Sequence, residues 1–507
     1  MNKKVLLTLV FVLIIAFAAA CGGGDDNDDT SNVVTPSEGA GQESGGAGDT
    51  ESGGDVEVQT GPDFSGLDFG GRTFIVSDYD PSRWMPQPGS SEHANAVIAR
   101  NRWVEETLNV NIEFRPYNEY EMMAAVLAGD LYANMVITQM WGIGRHGQAN
   151  RLADLGQVPN LNLQAPYWTD FNAVNYLQFD DRILGLSGSF APQSEEIWTV
   201  FFNRRIIDEL GLDCPYELVA RGEWTFDRFL EMQRAAQFDL NGDGVLDHND
   251  RFGLAVGHEW DVSLVFFLAS GNPITRTNAD GTMEFNIDNP EAFAAIDQVR
   301  NMLRLGDTFF PRPPGSDMDS SVRAFVEGHS LFFAYSFGNP IIAPIFQMED
   351  DFGIVPMPMG PQADRHLGWV SHNAPTIGIP NSNLDLDFTG WVMEALGYRA
   401  WPEEANRFEE ISLTRLRSDE SLETLLNLKD GAISDFLFMA QQAAGGAHAG
   451  LSMLVNTMFY NQDTMEPVSE AAAVQEHVNL AIIEAHERFR GTFVEPEPTS
   501  SEDPDDD

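Results

Sequence analysis

The chain has 507 residues, of which 78 are acidic and 29 are basic, and its formal net charge at pH 7 is −49. Such a surface repels nucleic acids and anionic lipid head groups, which excludes DNA binding and a polybasic membrane contact. The length is sufficient for two or more compact lobes, and with 2 cysteines disulfides contribute little or nothing to stability.

The N-terminal segment, residues 1–20, is predicted to be an export signal. Lys3 and Lys4 precede an uncharged, mostly apolar run that is short for a membrane span and has no charged flank on its far side. Small residues directly before Cys21 resemble the signal of a bacterial lipoprotein; the alternative is an ordinary signal peptide with an incidental cysteine. The resemblance implies cleavage before Cys21 and a lipid on its thiol, diacylglyceryl with palmitate. The protein is then expected on the outer face of the cell membrane, as in Gram-positive bacteria.

Residues 21–65 are rich in Gly, Ser, Asp, Glu and Thr and almost free of large apolar side chains. A segment of this composition does not bury enough apolar surface to fold. It is therefore predicted to be a flexible tether between the lipid and the folded body. Residues 493–507 are predicted to be a disordered acidic tail for the same reason.

Alternating strands and helices begin after the tether. The pattern predicts strands over Thr73–Val76, Val110–Phe114 and Asn134–Thr138, with helices over Ala94–Leu108 and Tyr120–Ala128 between them. Strands that alternate with helices at this spacing favour α/β lobes with mainly parallel sheets.

An Asp-rich segment after a predicted helix matches a calcium-binding loop. Oxygen ligands recur at the spacing of such a loop, and Gly244 stands where its chain turns sharply. The candidate ligands are Asp239, Asn241, Asp243, the backbone carbonyl of Val245, Asp247 and Asp250. Asp250 replaces the bidentate Glu of an EF-hand, and its shorter side chain weakens the site. Because a predicted strand follows the loop, a structural Ca²⁺ site is expected, with the affinity of extracellular modules, roughly 0.1–1 mM. The alternative is an Asx-rich turn without metal.

Several segments, taken in order along the chain, resemble extracellular solute-binding proteins of bacterial ABC importers, the family 1-like group with many sugar binders. The segments are Phe201–Arg205 with Leu210–Leu212, Trp224–Leu230 with Phe252–Ala255, Phe325–Phe333, Asp351–Pro358 and Ala374–Pro380. The resemblance extends from about Leu67 to Phe489. It implies a two-lobed, type II periplasmic-binding-protein-like α/β fold, with a hinge crossed more than once and a ligand cleft between the lobes.

On this resemblance, residues 66–195 and 376–440 are expected to form the first lobe, and residues 196–375 and 441–492 the second. The expected function is capture of a carbohydrate, such as an oligosaccharide, and its delivery unaltered to an ABC permease. We expect a monomer, no catalytic residues, no organic cofactor and no nucleic-acid partner.

Candidate ligand contacts are aromatic and polar residues that follow strands or lie at the lobe crossings. Sugar C–H faces pack on aromatic rings, and sugar hydroxyls need donors and acceptors. The candidates are Asp78, Asp80, Trp141, Glu196, Trp198, His258, Trp260, Tyr335, Ser336, Asn339, Trp369 and Asn373. For each tryptophan the alternative is packing in the core.

Four other interpretations were weighed against the sequence. A G-x-G-x-x-G pattern at Gly142–Gly147 does not follow the first strand, so a flexible cleft loop is expected there instead of a dinucleotide site. A lipid-anchored glycosidase or lyase with paired carboxylates is the main rival class, and a calcium-dependent surface scaffold is another. A peptide or other polar solute is the alternative ligand.

Overall fold

The structure is a computed structural model. It describes residues 61–169, 178–179, 182–192, 196–257, 259–279, 283–287, 289–304, 307–429, 432–433, 479–480, 482–490 and 492. The predicted export signal, Cys21, most of the tether, the acidic tail and His258 lie outside this set. Among the residues it describes, none of the helices is long and apolar enough to span a membrane.

Strands and helices are numbered here in chain order. The strands are β1 (Arg72–Asp78), β2 (Val110–Pro116), β3 (Met135–Gln139), β4 (Gln178–Phe179), β5 (Arg182–Ile183), β6 (Ile197–Asn203), β7 (Phe252–Val256), β8 (Thr275–Thr277), β9 (Met283–Phe285), β10 (Ser330–Ser336), β11 (Phe352–Val355), β12 (Gly368–Val370), β13 (Pro375–Gly378) and β14 (Ala432–Ile433). The helices are α1 (Glu92–Leu108), α2 (Glu119–Ala128), α3 (Met140–Gln148), α4 (Pro166–Thr169), α5 (Arg204–Leu210), α6 (Pro215–Ala220), α7 (Phe226–Ala236), α8 (Glu259–Ala269), α9 (Pro290–Met302), α10 (Asp319–Val326), α11 (Leu386–Ala400), α12 (Glu403–Thr414) and α13 (Asp419–Lys429).

The first sheet has four strands in the order β13-β3-β1-β2. β1 runs parallel to β2 and β3, whereas β13 pairs antiparallel with β3. Helix α1 connects β1 to β2: its Ser91 cap accepts a hydrogen bond from Ala94 N, and the helix ends at Asn109 in the left-handed region. The apolar face of α1 packs against α11, which closes the core of the first lobe.

The second sheet has the order β14-β12-β6-β10-β7, and β11 also pairs with β6. Every residue of β6 and β10 is buried, as expected for central strands covered by helices on both faces. β6 is antiparallel to β10, β11 and β12, while β10 and β7 are parallel. A separate apolar core, rich in Phe, surrounds this sheet.

Two of the segments that carry the chain between the two sheets lie next to each other. One leads into β6 and includes Glu196; the other joins β12 to β13 through residues 371–374. They lie side by side, since Ser371 N donates to Glu196 O at 2.8 Å and Leu186 forms an antiparallel bridge with Ile377. The two-lobed α/β fold with a repeatedly crossed hinge is thereby confirmed.

The predicted C-terminal part of the first lobe, residues 376–440, belongs only partly to that lobe. Helix α12 packs on α1, but α13 packs on β11, and β14 pairs with β12 of the second sheet. Farther on, residues 482–490 are helical; Ile482 belongs to the second core and Phe489 packs with first-lobe residues around Leu184. The chain thus returns to the second sheet well before residue 440. The predicted lobe bounds as a whole stay a prediction.

The predicted strands and helices of the first lobe are present, with ends that agree within two residues. The prediction of a flexible loop at Gly142–Gly147 is wrong, because these residues form helix α3. Its glycines permit close packing: a Cβ at Gly142 would lie 2.8 Å from Thr138 Oγ1, and one at Gly147 would lie 2.7 Å from Leu184. The pattern therefore reflects helix packing.

Candidate functional site

Glu196 stands at the centre of the region where the two sheets meet. It directly precedes β6, and its backbone is hydrogen-bonded to the return crossing through Ser371. Burial raises the pKa of the Tyr79 phenol and of the Tyr335 phenol, and the Glu196 carboxylate adds to the rise at both. Because Tyr79 follows β1 and Tyr335 lies on β10, one carboxylate is electrostatically coupled to residues of both lobes.

On the side of the first lobe, Asp78 holds the turn that presents Tyr79. The Asp78 side chain is buried and accepts hydrogen bonds from Asp80 N at 2.8 Å and from Trp84 Nε1 at 2.6 Å. Arg83 lies 3.5 Å from the same carboxylate, and its guanidinium stands 4.6 Å above the Tyr79 ring. Tyr79 itself remains 43% exposed. Asp78 is thus a supporting residue, and Tyr79 is the side chain left open to a ligand.

Trp141 provides a second aromatic ring in the same region. Its Nε1 donates to Asn373 Oδ1 on the return crossing at 3.3 Å. Arg145, one turn along α3, lies 5.2 Å from the Trp141 ring centroid and makes two contacts of 2.5 and 2.7 Å with Glu119. Trp141 and Asn373 are both partly exposed. Helix α3 therefore places the Trp141 indole beside the return crossing, while Arg145 of the same helix is ion-paired with Glu119.

Tyr335 forms the corresponding wall of the second lobe. It is 5% exposed and packs edge-to-face on Trp198 at 5.1 Å between ring centroids. Gly257 lies against the tyrosine ring, where a Cβ would come within 2.5 Å of it. Asn339 caps the following 3-10 helix through Ile341 N and lies 3.4 Å from the Tyr335 hydroxyl.

A buried carboxyl stands behind this wall. Asp261 on α8 is 4% exposed, and its Oδ1 lies 3.6 Å from His372 Nδ1 on the return crossing. Burial raises the pKa of Asp261 to about 7. The charge of Asp261 also raises the pKa of Tyr335, so the two side chains interact electrostatically.

The predicted ligand residues therefore fall into three groups. Trp141, Glu196, Tyr335, Asn339 and Asn373 lie together at the crossings. Asp78, Trp198, Ser336 and Trp369 are buried supports, with Trp369 paired to Trp198 in the sheet, and exposed Asp80 caps the 81–84 turn through Ser82. His258 and the side chain of Trp260 lie outside the described residues.

Sequence reasoning missed Tyr79, Arg83, Asp261 and His372. Tyr79 was findable, since it stands between two residues that were chosen, at the end of a predicted strand. Asp261 is preceded by Trp260 and followed by an apolar helix, which gives no sign that its carboxyl points toward the crossing. The binding role of every residue in this region stays a prediction.

The predicted calcium loop is held by its own backbone amides. Asp239 accepts hydrogen bonds from Gly242 N and Gly244 N at 2.6 and 2.8 Å, and Asp250 accepts from Leu240 N and Asp247 N at 2.9 Å each. These amides, that of Asp247 first, hold the pKa of Asp250 below its ordinary value. Among the described residues, no group of three or more His, Cys, Asp or Glu is arranged to hold a metal ion.

No protein-family model matches the chain, and no curated protein sequence shows significant similarity to it. Solved structures do match. A solute-binding protein of an ABC transporter from Thermotoga lettingae, bound with α-D-tagatose, aligns with a TM-score of 0.53 at 12% identity, over 81% of this chain and 100% of that one. A cyclic α-maltosyl-1,6-maltose-binding protein from Arthrobacter globiformis aligns with a TM-score of 0.54 at 14% identity, over 82% and 99%.

A third structure, an ABC substrate-binding protein from Listeria monocytogenes in complex with cycloalternan, has a TM-score of 0.54 at 12% identity, over 81% and 99%. The chain therefore has the two-lobed fold of periplasmic-binding-type proteins, almost over the full length of these structures. At such identities the likeness establishes the fold alone.

Proposed function

We propose that this protein is the solute receptor of an ABC importer and that it captures a carbohydrate between its two lobes without altering it. The observation that carries the proposal is the meeting of the two crossings at Glu196, whose backbone carbonyl accepts a hydrogen bond from Ser371 N at 2.8 Å, with Tyr79 of the first lobe and Tyr335 of the second close enough for its charge to raise their pKa. Partly exposed aromatic rings, amides and carboxylates at one crossing are the groups that a saccharide requires. The structurally similar proteins, described as binding tagatose, cycloalternan and a cyclic maltosyl-maltose, support the same ligand class.

The proposal is tested by thermal unfolding of the protein against those three saccharides, with free amino acids and a tripeptide for comparison. A ligand that binds the folded state at 100 times its Kd adds about 2.7 kcal/mol of stability, so a rise in Tm of several degrees is expected with at least one saccharide. The bound compound is then recovered and identified by mass spectrometry. Recovery of the intact saccharide supports a receptor, whereas a cleaved product supports a glycosidase or lyase. A rise in Tm only with the peptide would contradict the carbohydrate assignment.

We also propose that Cys21 carries the lipid that holds the receptor beside its permease at the outer face of the membrane. The basis is the order of basic, apolar and small residues before this cysteine. Cells fed an alkyne analogue of palmitate should label the wild-type protein, and Cys21→Ala should lose both the label and the membrane association. Cys214→Ala is the matched control and should keep both. Membrane association that survives in unlabelled Cys21→Ala would contradict the anchor.

The loop from Asp239 to Asp250 is proposed to take a structural Ca²⁺ that ties the end of α7 to β7. Ca²⁺ prefers carboxylate, amide and carbonyl oxygens at this spacing. The hydrogen bonds from backbone amides to Asp239 and Asp250 preform the turn on which these oxygens stand.

We expect that 5 mM Ca²⁺, roughly five to fifty times the affinity range of extracellular modules, raises the Tm of wild-type protein, and that EGTA reverses the rise. Asp243→Ala should abolish the difference between calcium and EGTA, because it removes a ligand on the exposed side of the loop. Asp227→Ala, on the preceding helix, is the control and should retain it. An identical wild-type Tm in calcium and EGTA would mean that the loop is a metal-free turn.

A further inference from the structure

Asp261 is a buried carboxyl in contact with the segment that joins the lobes. It is 4% exposed on α8, next to the buried apolar side chains of Val262, Leu264 and Val265. Its Oδ1 lies 3.6 Å from His372 Nδ1. His372 in turn accepts a hydrogen bond from Trp141 N through its backbone carbonyl, at 3.3 Å. His372 therefore contacts both the Asp261 carboxyl and the backbone of Trp141, whose ring faces the proposed ligand.

Among the described residues, titratable groups near Asp261 come from three elements. His372 of the return crossing lies 3.6 Å from it, and the charges of Asp261 and of Glu196, on the first crossing, both raise the pKa of Tyr335 on β10. An ionised Asp261 thus adds a second negative charge to the wall that contains Glu196. Burial disfavours that charge and raises the pKa of Asp261 to about 7, which allows the carboxyl to titrate under ordinary conditions.

We propose that Asp261 couples ligand affinity to proton uptake, so that the cleft holds its saccharide most tightly when this carboxyl is protonated. The inference rests on the proposed function. His372 and Asn373 are partly exposed, and a saccharide between the lobes covers them. Loss of that water disfavours an ionised carboxyl still further, so the bound state takes up a proton that the free state lacks.

The difference in the pKa of Asp261 between the bound and the free protein determines whether affinity rises or falls with pH. A carboxyl whose pKa is higher in the bound than in the free state gives full affinity below the free-state pKa. The affinity then falls as the pH rises through the free-state pKa toward the bound-state pKa. A difference of one pKa unit corresponds to a tenfold change in Kd.

The experiment is calorimetric titration with the saccharide that gives the largest rise in Tm, between about pH 5.5 and pH 8.5. The wild-type Kd should rise about tenfold over this range, and Asp261→Asn should hold it constant within about twofold. Glu394→Gln, which changes a buried carboxyl in the first-lobe core next to Trp168, is the matched control and should follow the wild type. His372→Gln should keep the direction of the pH dependence and move its midpoint.

Three results would overturn the inference. One is a wild-type affinity that is constant or increases with pH, and another is a wild-type pH dependence retained by Asp261→Asn. The third is loss of the dependence in His372→Gln, which would assign the proton to the imidazole. In each case the saccharide binds and the proposed function stands. If no saccharide binds at any pH, the proposed function itself fails, and this inference fails with it.

Discussion

Arg100→Ala is expected to lower the free energy of unfolding by about 3–5 kcal/mol, the cost of breaking a buried ion pair by removing one partner. Arg100 is 2% exposed on α1, and its Nη1 lies 3.1 Å from Glu403 Oε2 at the start of α12. The guanidinium also stands 4.7 Å from the Phe190 ring and 5.4 Å from the Trp84 ring. Removal of the arginine takes from the buried Glu403 carboxylate its hydrogen-bonded ion-pair partner, with only the charge of Arg399 still acting on it, and takes away these ring contacts.

Urea unfolding followed by circular dichroism measures this change. Arg221→Ala is the matched control, because Arg221 pairs with Glu217 and Glu223 at the surface, where an ion pair contributes about 0–1 kcal/mol. The double variant Arg100→Met with Glu403→Leu should recover most of the loss, since apolar residues of similar volume replace a buried pair at little cost. An Arg100→Ala protein as stable as Arg221→Ala would contradict the assigned role.

The second large effect is expected on ligand affinity. Glu196→Ala should weaken saccharide binding about 10- to 100-fold, because a hydrogen bond to a charged group contributes about 1.5–3 kcal/mol. Tyr79→Ala should weaken it about 3- to 10-fold by removing the exposed ring at the end of β1. Both variants should fold, since the Glu196 side chain is only partly buried and Tyr79 is 43% exposed.

Calorimetric titration of both variants at one fixed pH gives these ratios. Trp401→Ala is the control for Tyr79→Ala: Trp401 has a similar exposure of 46% but contacts Tyr167 of the first-lobe core. Glu223→Ala, at the exposed pair with Arg221, is the control for Glu196→Ala. Wild-type affinity in Glu196→Ala would contradict the proposed role of the Glu196 carboxylate in ligand binding.

The strands and helices of the first lobe were predictable from the sequence because they have strong local signals, whereas the two-lobed arrangement was expected only from the family resemblance. The alternation of apolar strands with amphipathic helices between Thr73 and Thr138 predicts the parallel pairing of β1 with β2 and β3, but the expectation of mainly parallel sheets is wrong for the second sheet, where β6 pairs antiparallel with β10, β11 and β12. The return of α13 and β14 to the second sheet was not predictable, because short amphipathic segments fit either lobe. The loop predicted at Gly142–Gly147 is a helix. Glycines that allow helix α3 to pack closely cannot be distinguished in the sequence from glycines of a loop.

The proximity of the candidate ligand residues was predictable only in part, and their binding role stays a prediction. Of the candidates chosen at strand ends and crossings, Trp141 contacts Asn373, and Glu196 lies close enough to Tyr335 to raise its pKa. The sequence does not show which of two neighbouring residues is exposed. Asp78 is buried and accepts a hydrogen bond from Trp84, whereas Tyr79 is exposed. Asp261 was missed because its contact with His372 joins residues far apart in the chain. Long-range contacts of this kind leave no local pattern.

A crystal structure of the protein with the saccharide that raises its Tm most tests the central claim directly. An intact saccharide is expected at the crossings, in contact with Tyr79 of the first lobe, with Tyr335 or its neighbours in the second, and with Glu196 between them. A saccharide bound on the outer surface of one lobe, or hydrolysed fragments in its place, would contradict it.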